Sequence, residues 1–305
     1  KLSGNTIPSS FVALQEADAN SLLAFCELCK QTDNETVEYD FTFKKLDDTS
    51  QQHIAQLKLK IDEAIGPWKE TGAFVKLDSR SPKDAVDGIS SDFMKSLVLH
   101  EVKTELTNNS LKTRSQAILD GFMKAQYKAL KVHSAKEALL LLGKSSRVLE
   151  DLTNTLPLMP YNFPLCIVIR EWNHEMVETP EREFRGFVYQ NQLTAVSQVT
   201  LCSATYPVKY DYMSCYPVLV NNELEFQTRI QRFFNEVVRD ALKDFETYII
   251  DFWVGEKSIL IIELNSFESW TGACLFSWAE NSKQLMHGPF EFRIVREPQQ
   301  SNLTY

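Results

Sequence analysis

Three residues able to bind a hard cation interrupt an otherwise apolar stretch, Tyr248-Ile-Ile-Asp-Phe-Trp-Val-Gly-Glu-Lys-Ser-Ile-Leu-Ile-Ile-Glu-Leu-Asn-Ser-Phe267. They are Asp251, Glu263 and Asn265. All three offer oxygen, the donor that Mg²⁺ prefers; Mg²⁺ takes one or two carboxylates and completes its shell with phosphate and water. The stretch reads as two strands joined by a polar turn at Gly255-Glu256-Lys257. Side chains alternate along a strand, so Glu263 and Asn265 share a face. Pairing Asp251 with Glu263 would bring all three onto that face, with opposed Cβ atoms roughly 4.5–5.5 Å apart. Carboxylates that close repel unless one is protonated or a cation sits between them. Acidic residues on hairpins commonly face solvent, but Ile-Leu-Ile-Ile-Glu-Leu is too apolar for a solvated edge. A strand buried on both faces reads as such a run, and a carboxylate within it needs a partner.

Cations that could meet phosphate occur in separate places. A strand over Ala73–Leu77 carries Lys76 into a polar turn holding Arg80, Ser81, Pro82 and Lys83. Three cations within eight residues of an acidic chain form a local positive site suited to phosphate, or an ordinary exposed loop. A second hairpin, Arg182–Tyr189 then Leu193–Gln198 through Gln190-Asn191-Gln192, places Glu183 and Arg185 on one face. That pair is either a structural ion pair or part of a site. Leu165–Trp172 reads as a buried strand ending in charge, and its backbone would suit the edge of an adenine ring. Gly143-Lys144-Ser145 resembles the end of a phosphate-binding loop, but the first glycine of GxxxxGK[ST] falls on Ala138. That reading fails, leaving Lys144 and Arg147 at the end of a strand or helix. The five histidines show no HExxH spacing and no GxSxG elbow occurs, which argues against a zinc hydrolase or serine esterase.

The elements that must position these groups are partly visible. Residues 8–32, 51–65, 90–133 and 148–154 read as helices, and residues 39–43 as a short strand. Residues 223–245 form one strongly amphipathic helix with Phe226, Ile230, Phe233, Phe234, Val237 and Val238 at helical spacing; these are core positions. A chain of 305 residues with 44% hydrophobic content can bury a large core in one or two domains. The formal charge of −9 argues against nucleic acid as the main partner. No apolar run is long enough to predict a membrane span, and Lys1-Leu-Ser-Gly-Asn-Thr-Ile7 has no apolar signal core. Six cysteines in a chain this long fit a reduced, cytoplasmic setting better than a disulfide scaffold. Cys26-Glu-Leu-Cys29 lacks the second ligand pair a structural zinc would need, which predicts helical core thiols.

The order of these motifs is similar to one family. Phe74-Val-Lys-Leu77 with Ser81-Pro-Lys-Asp-Ala85, Leu141–Leu152, Val168-Ile-Arg-Glu-Trp172, Glu183–Val188, Val196-Ser-Gln198, Ile249-Ile-Asp251, Glu263–Phe267, Leu275–Trp278 and Phe290–Val295 run in its order. The chain thus resembles the cell-division-cycle 123 family, ATP-grasp proteins that assemble translation initiation factor 2, collinearly over about residues 70–296. The resemblance implies an α+β ATP-grasp fold in which two subdomains clasp a nucleotide between antiparallel sheets. It implies a helical segment over 1–70, an N-terminal subdomain over 71–160, a C-terminal subdomain with the metal site over 161–298, and a tail over 299–305. Lys76, Arg80 and Arg185 would be the reactive cations. Lys76, Lys144, Arg185 and the strand residues Val168, Ile169, Arg170 and Glu171 would contact ATP. Asp251, Glu263 and Asn265 would hold Mg²⁺. The implied partner is the gamma subunit of initiation factor 2. An ATP-grasp ligase or phosphoryl or nucleotidyl transferase acting on another acceptor is the alternative. The chain departs from the family at Asp78-Ser-Arg-Ser-Pro82, usually Asn-Trp-Ser-Ala-Pro, and at Glu263, usually Asp.

Overall fold

Ser9–Leu14 (β1) opens the described chain with period-two burial, Phe11 and Ala13 exposed and Val12 and Leu14 buried. The computed structural model describes residues 2–32, 38–86, 92–108, 114–161, 164–199 and 215–297. The helix expected over 8–32 therefore begins only at Glu16 (α1, Glu16–Gln31). Gln15 and Asp18 close a reciprocal capping box there. Residues 39–43, expected as a strand, form a short helix (α2, Tyr39–Phe43) in which the Tyr39 and Phe43 rings stack one turn apart at 5.7 Å. The chain divides into two compact units, Pro8–Asn173 and Lys1–Ile7 with His174–Tyr305.

The continuous unit contains α3 (Asp48–Ile65), β2 (Ala73–Leu77), α4 (Asp92–Asn108), α5 (Arg114–Lys128), β3 (Lys131–Val132), α6 (Ala135–Lys144), α7 (Ser146–Thr155) and β4 (Leu165–Glu171). Its antiparallel sheet runs β1-β4-β2-β3. One face packs Val12, Leu14, Val75, Leu77, Ile167 and Ile169 against α1, α3 and α6. Cys26 and Cys29 are buried within that core, as the lone CxxC predicts. Burial pushes the Cys29 thiol up to about 11. Gly143 sits in α6 where a Cβ would come within 2.7 Å of Cys29 Sγ, so it serves helix packing. α4 and α5 pair through buried charges, Lys124–Glu105 and Lys128–Glu101, each at 2.7 Å.

The other unit holds α8 (His174–Glu178), β5 (Glu183–Tyr189), β6 (Gln192–Gln198), α9 (Pro217–Asn221), α10 (Glu223–Phe233), α11 (Arg239–Ala241), β7 (Tyr248–Val254), β8 (Ile259–Asn265), α12 (Trp278–His287) and β9 (Glu291–Arg293). Its sheet runs β8-β7-β5-β6-β9, antiparallel except for the parallel β6–β9 pair. Gln190 and Asn191 join β5 to β6 with φ of 49° and 59°, the left-handed pair that a tight two-residue hairpin demands. The helix expected over 223–245 is broken instead by a π turn at Phe234–Val238 and ends at Ala241. One sheet face packs Phe184, Val196, Ile250 and Phe252 beneath α9 and α10. The other packs Phe187, Ala195 and Ile249 with Ala273, Phe276 and Leu285. The N-terminal segment returns to this unit, where Ile261 N donates to Asn5 O at 2.7 Å and Thr6 bridges Ile261.

Candidate functional site

The residues expected to act together divide between the two units, and each group has its own geometry. In the discontinuous unit the expected register is observed: Asp251 pairs with Glu263, and a bulge follows at Asp251/Phe252. Asn265 Nδ2 donates to Asp251 Oδ2 at 3.3 Å, so Asn265 lies on the same face as Asp251. Asp251 also pairs with Arg185 on β5. Arg185 Nε donates to Asp251 Oδ1 at 2.8 Å and Nη2 to Oδ2 at 2.7 Å, the two-pronged geometry at which a guanidinium holds a carboxylate best. The Asp251 side chain is only 2% exposed and that of Arg185 16%. Burial works against the guanidinium charge, but the Asp251 hydrogen bonds and charge outweigh it and hold Arg185 protonated well above its ordinary range.

The row continues where sequence reasoning did not follow it. Arg185 pairs with Ser197 on β6, and Ser197 with Arg293 on β9. Glu263, Asp251, Arg185, Ser197 and Arg293 thus form one polar line across the five strands. Three of them pin a single loop. Arg185 Nη1 donates to Gly272 O at 2.7 Å, Ser197 Oγ accepts from Leu275 N at 3.0 Å, and Arg293 Nη1 donates to Leu275 O at 3.1 Å. The Arg293 guanidinium also lies over the Phe276 ring at 3.9 Å. Between these anchors Cys274 adopts φ +55°, a left-handed conformation that a non-glycine residue holds only when its surroundings impose it. Glu183, two residues away on the same strand and opposite Trp253 in register, adds its charge to that of Asp251 around Arg185.

In the continuous unit Lys76 pairs with Val168, and Val168 with Phe11, so these three cross β2, β4 and β1 on the sheet face away from the α1, α3 and α6 core, Lys76 and Val168 buried and Phe11 exposed. Phe11 is 68% exposed and was not expected from sequence, because the segment reads there as a helix. Arg170 belongs to the same face, two residues from Val168, whereas Ile169 is buried beneath it. β4 lies between β1 and β2, so its backbone from Leu165 to Arg170 is spent in the two ladders. Glu171 N in turn donates to Pro8 O at 2.9 Å. From Leu165 to Arg170 recognition along β4 would therefore use side chains, and an expected backbone contact could come only from its end at Glu171. Arg80 is drawn to α7, with Nε and Nη2 at 3.1 and 3.0 Å from Asp151 Oδ1. Lys144 ends α6, and burial lowers the pKa of its ammonium while the nearby Cys29 opposes the shift. The following residue, Ser145, caps α7 and bonds Asp84, which also accepts from Ser146 N and Arg147 N at 2.8 and 3.1 Å. Gly143-Lys144-Ser145 therefore joins two helices rather than cradling a phosphate.

The donor set fits a hard divalent ion in chemistry. Two carboxylates and one amide oxygen, at directly paired and adjacent positions, are the ligand types Mg²⁺ takes. Among the described residues no group of three or more His, Cys, Asp or Glu gathers for a metal, at this place or at another. Both Asp251 oxygens already accept from Arg185, so an ion here would share that carboxylate with the guanidinium.

Comparison with known proteins gives a family match and a fold match. The D123 family model matches residues 120–304, more than half of the chain. A Candida albicans protein named translation initiation factor eIF2 assembly protein is 25% identical over 177 residues, covering 54% of this chain and 47% of that one. Cell division cycle protein 123 of Eremothecium gossypii is 28% identical over 200 residues, covering 61% and 50%. The chain thus spans about half the length of the curated relatives it matches. The solved structure of Cdc123 from Schizosaccharomyces pombe superposes with a TM-score of 0.57 at 18% identity, covering 95% of this chain and 91% of that one. The fold is α+β of the ATP-grasp kind, as expected from the order of motifs.

Proposed function

This chain belongs to the D123 family, and from that premise we propose that it is a Mg·ATP-binding protein that assists the assembly of translation initiation factor 2 by holding its gamma subunit. The nucleotide half of this reading rests on the polar row, in which Asp251, Glu263 and Asn265 gather beside Arg185. The partner half rests on relatives named as eIF2 assembly proteins, and the choice of the gamma subunit on the resemblance in motif order. The same reading puts its work in the cytoplasm. No helix among the described residues is long and apolar enough to cross a membrane.

Asp251, Glu263 and Asn265 would hold Mg²⁺, which supplies charge neutralisation to the nucleotide's phosphates when bound. Arg185 fixes the Asp251 carboxylate in one orientation and places a permanent positive charge beside it. Lys76, buried on the sheet face away from the helical core, would contribute charge to phosphate, with Arg80 and Lys144 as further cations. Val168, Ile169, Arg170 and Glu171 would border the base, Val168 and Arg170 through their side chains.

The test is direct. The chain, immobilised with Mg·ATP, is offered the purified alpha, beta and gamma subunits separately. Retention of gamma is expected. Capture of none of them, under conditions where ATP raises the melting temperature, would sink the partner assignment and leave the nucleotide reading standing.

A further inference from the structure

A groove of about 390 Å³ opens in the discontinuous unit, between the first half of β6 and the broken helix. Its walls include Gln192 and Leu193 on one side, Gln231, Asn235 and Arg239 on another, and Phe290. It is separate from the polar row. Ser197 lies three positions beyond Thr194, the nearest lining residue on β6, on the order of 10 Å at strand rise. β9 pairs only with Ala195–Ser197, so Gln192–Thr194 has no β9 partner on that edge.

The helical wall contains the π turn. Arg239 N reaches back to Phe234 O, one residue further than an α-helix allows. Such single π turns cost hydrogen-bond quality and recur at functional sites. Gln231, Asn235 and Arg239, spaced four apart along this stretch, line the same groove. The Arg239 guanidinium lies 5.3 Å over the Phe234 ring, which fixes its plane. Its Nη2 reaches Gln192 Oε1 only at 3.4 Å, and its buried Nε has no hydrogen-bond partner. No carboxylate pairs with Arg239 among the described residues. The buried Nε is out of a ligand's reach, so the outer guanidinium nitrogens, held only by that long contact to Gln192, are the donors Arg239 offers to the groove.

We infer that this groove binds a carboxylate carried on a short apolar stem, with the acid on Arg239 and the stem against Leu193 and Phe290. One guanidinium flanked by side-chain amides balances one negative charge and matches the planar, two-oxygen acceptor. A phosphate dianion would call for a second cation, and the groove lining has none. The volume is at the low end of the roughly 300–1,000 Å³ of small-molecule sites, so the stem is about the size of one side chain. Both a free organic acid and a peptide chain end present this chemistry.

The full chain is titrated by calorimetry with phenylacetate, with phenyl phosphate, with an acetylated peptide ending in a free phenylalanine carboxylate, and with the same peptide as its amide. Saturable binding of phenylacetate or the acid peptide, and none of the amide or the phosphate, is expected. Whichever acid binds more tightly identifies the source. Arg239→Gln should raise Kd at least about tenfold, a loss of ~1.4 kcal/mol. Asn235→Ala, at an exposed position, should weaken binding several-fold with an unchanged melting temperature, and it keeps the test valid if Arg239→Gln folds poorly. Absence of binding by both acids overturns the inference. So does an affinity unchanged in both variants, or phenyl phosphate binding more tightly than phenylacetate.

Discussion

Arg185 and Asp251 occupy directly paired positions on β5 and β7 and satisfy one another through two hydrogen bonds, 2.8 and 2.7 Å long, almost out of contact with water. Removing one member leaves the other as an uncompensated buried charge. Asp251→Ala should therefore cost about 3–5 kcal/mol, and Asp251→Asn, which keeps an acceptor, about 1–3 kcal/mol. Urea unfolding of the two variants checks this. The double variant Arg185→Met/Asp251→Ala should be more stable than Asp251→Ala alone, and a further loss would show that the pair is not the source of the effect.

Asp251 is consequently a poor probe of metal binding, because its loss confounds affinity with folding. Glu263 and Asn265, less buried on β8, separate the two. Wild-type protein at 100 times Kd of Mg·ATP should gain about 2.7 kcal/mol. Glu263→Gln and Asn265→Ala should lose most of that gain while their ligand-free melting temperatures stay within a degree or two of wild type. A full ATP-induced shift in both variants would remove them from the metal site.

The hairpin and its register were legible because carboxylates stand out in an apolar run and strand alternation assigns their face. The partner of Arg185 was not. Glu183 is two residues away, whereas Asp251 becomes a neighbour only once β7 lies beside β5. Ser197 and Arg293 were hidden for the same reason, since the β6–β9 pairing joins positions far apart in sequence. β1 was missed because six residues with period two, placed directly before a helix, blend into the helical pattern. The helix break at Phe234 left no mark, because no proline or glycine causes it.

Gly121 on α5 should resist substitution. A Cβ there would lie 2.6 Å from Val102 Cα and from Val102 N on α4, backbone atoms that cannot turn aside. Gly121→Ala should destabilise by about 1–3 kcal/mol by overpacking, despite alanine's better helix propensity. A rise in melting temperature would mean that α4 and α5 do not pack this closely.

Asp18 joins α1 to α3, accepting from Lys60 at 3.1 Å and lying 3.1 Å from His53 Nδ1. Burial raises its pKa, but the Lys60 and His53 bonds prevail and hold it below the ordinary value. A carboxylate depressed in the folded state stabilises it above the unfolded pKa of about 3.9 and loses that contribution as pH falls through the folded value. Wild-type stability should thus drop across that acidic window, and Asp18→Asn should flatten the drop. Parallel curves of stability against pH for the two proteins would refute the assignment.

The bond between Asn5 and Ile261 has a consequence for synthesis. The unit carrying the polar row is built from both sides of a continuous insert, Pro8–Asn173. On the ribosome its first strand-like segment emerges early and must wait until β8 is made. At about 5–20 residues per second that delay is on the order of tens of seconds. The insert can fold during the interval, while the residues around Thr6 remain without their edge. The β8 edge of that unit is thus covered late, when the residues around Thr6 are recaptured.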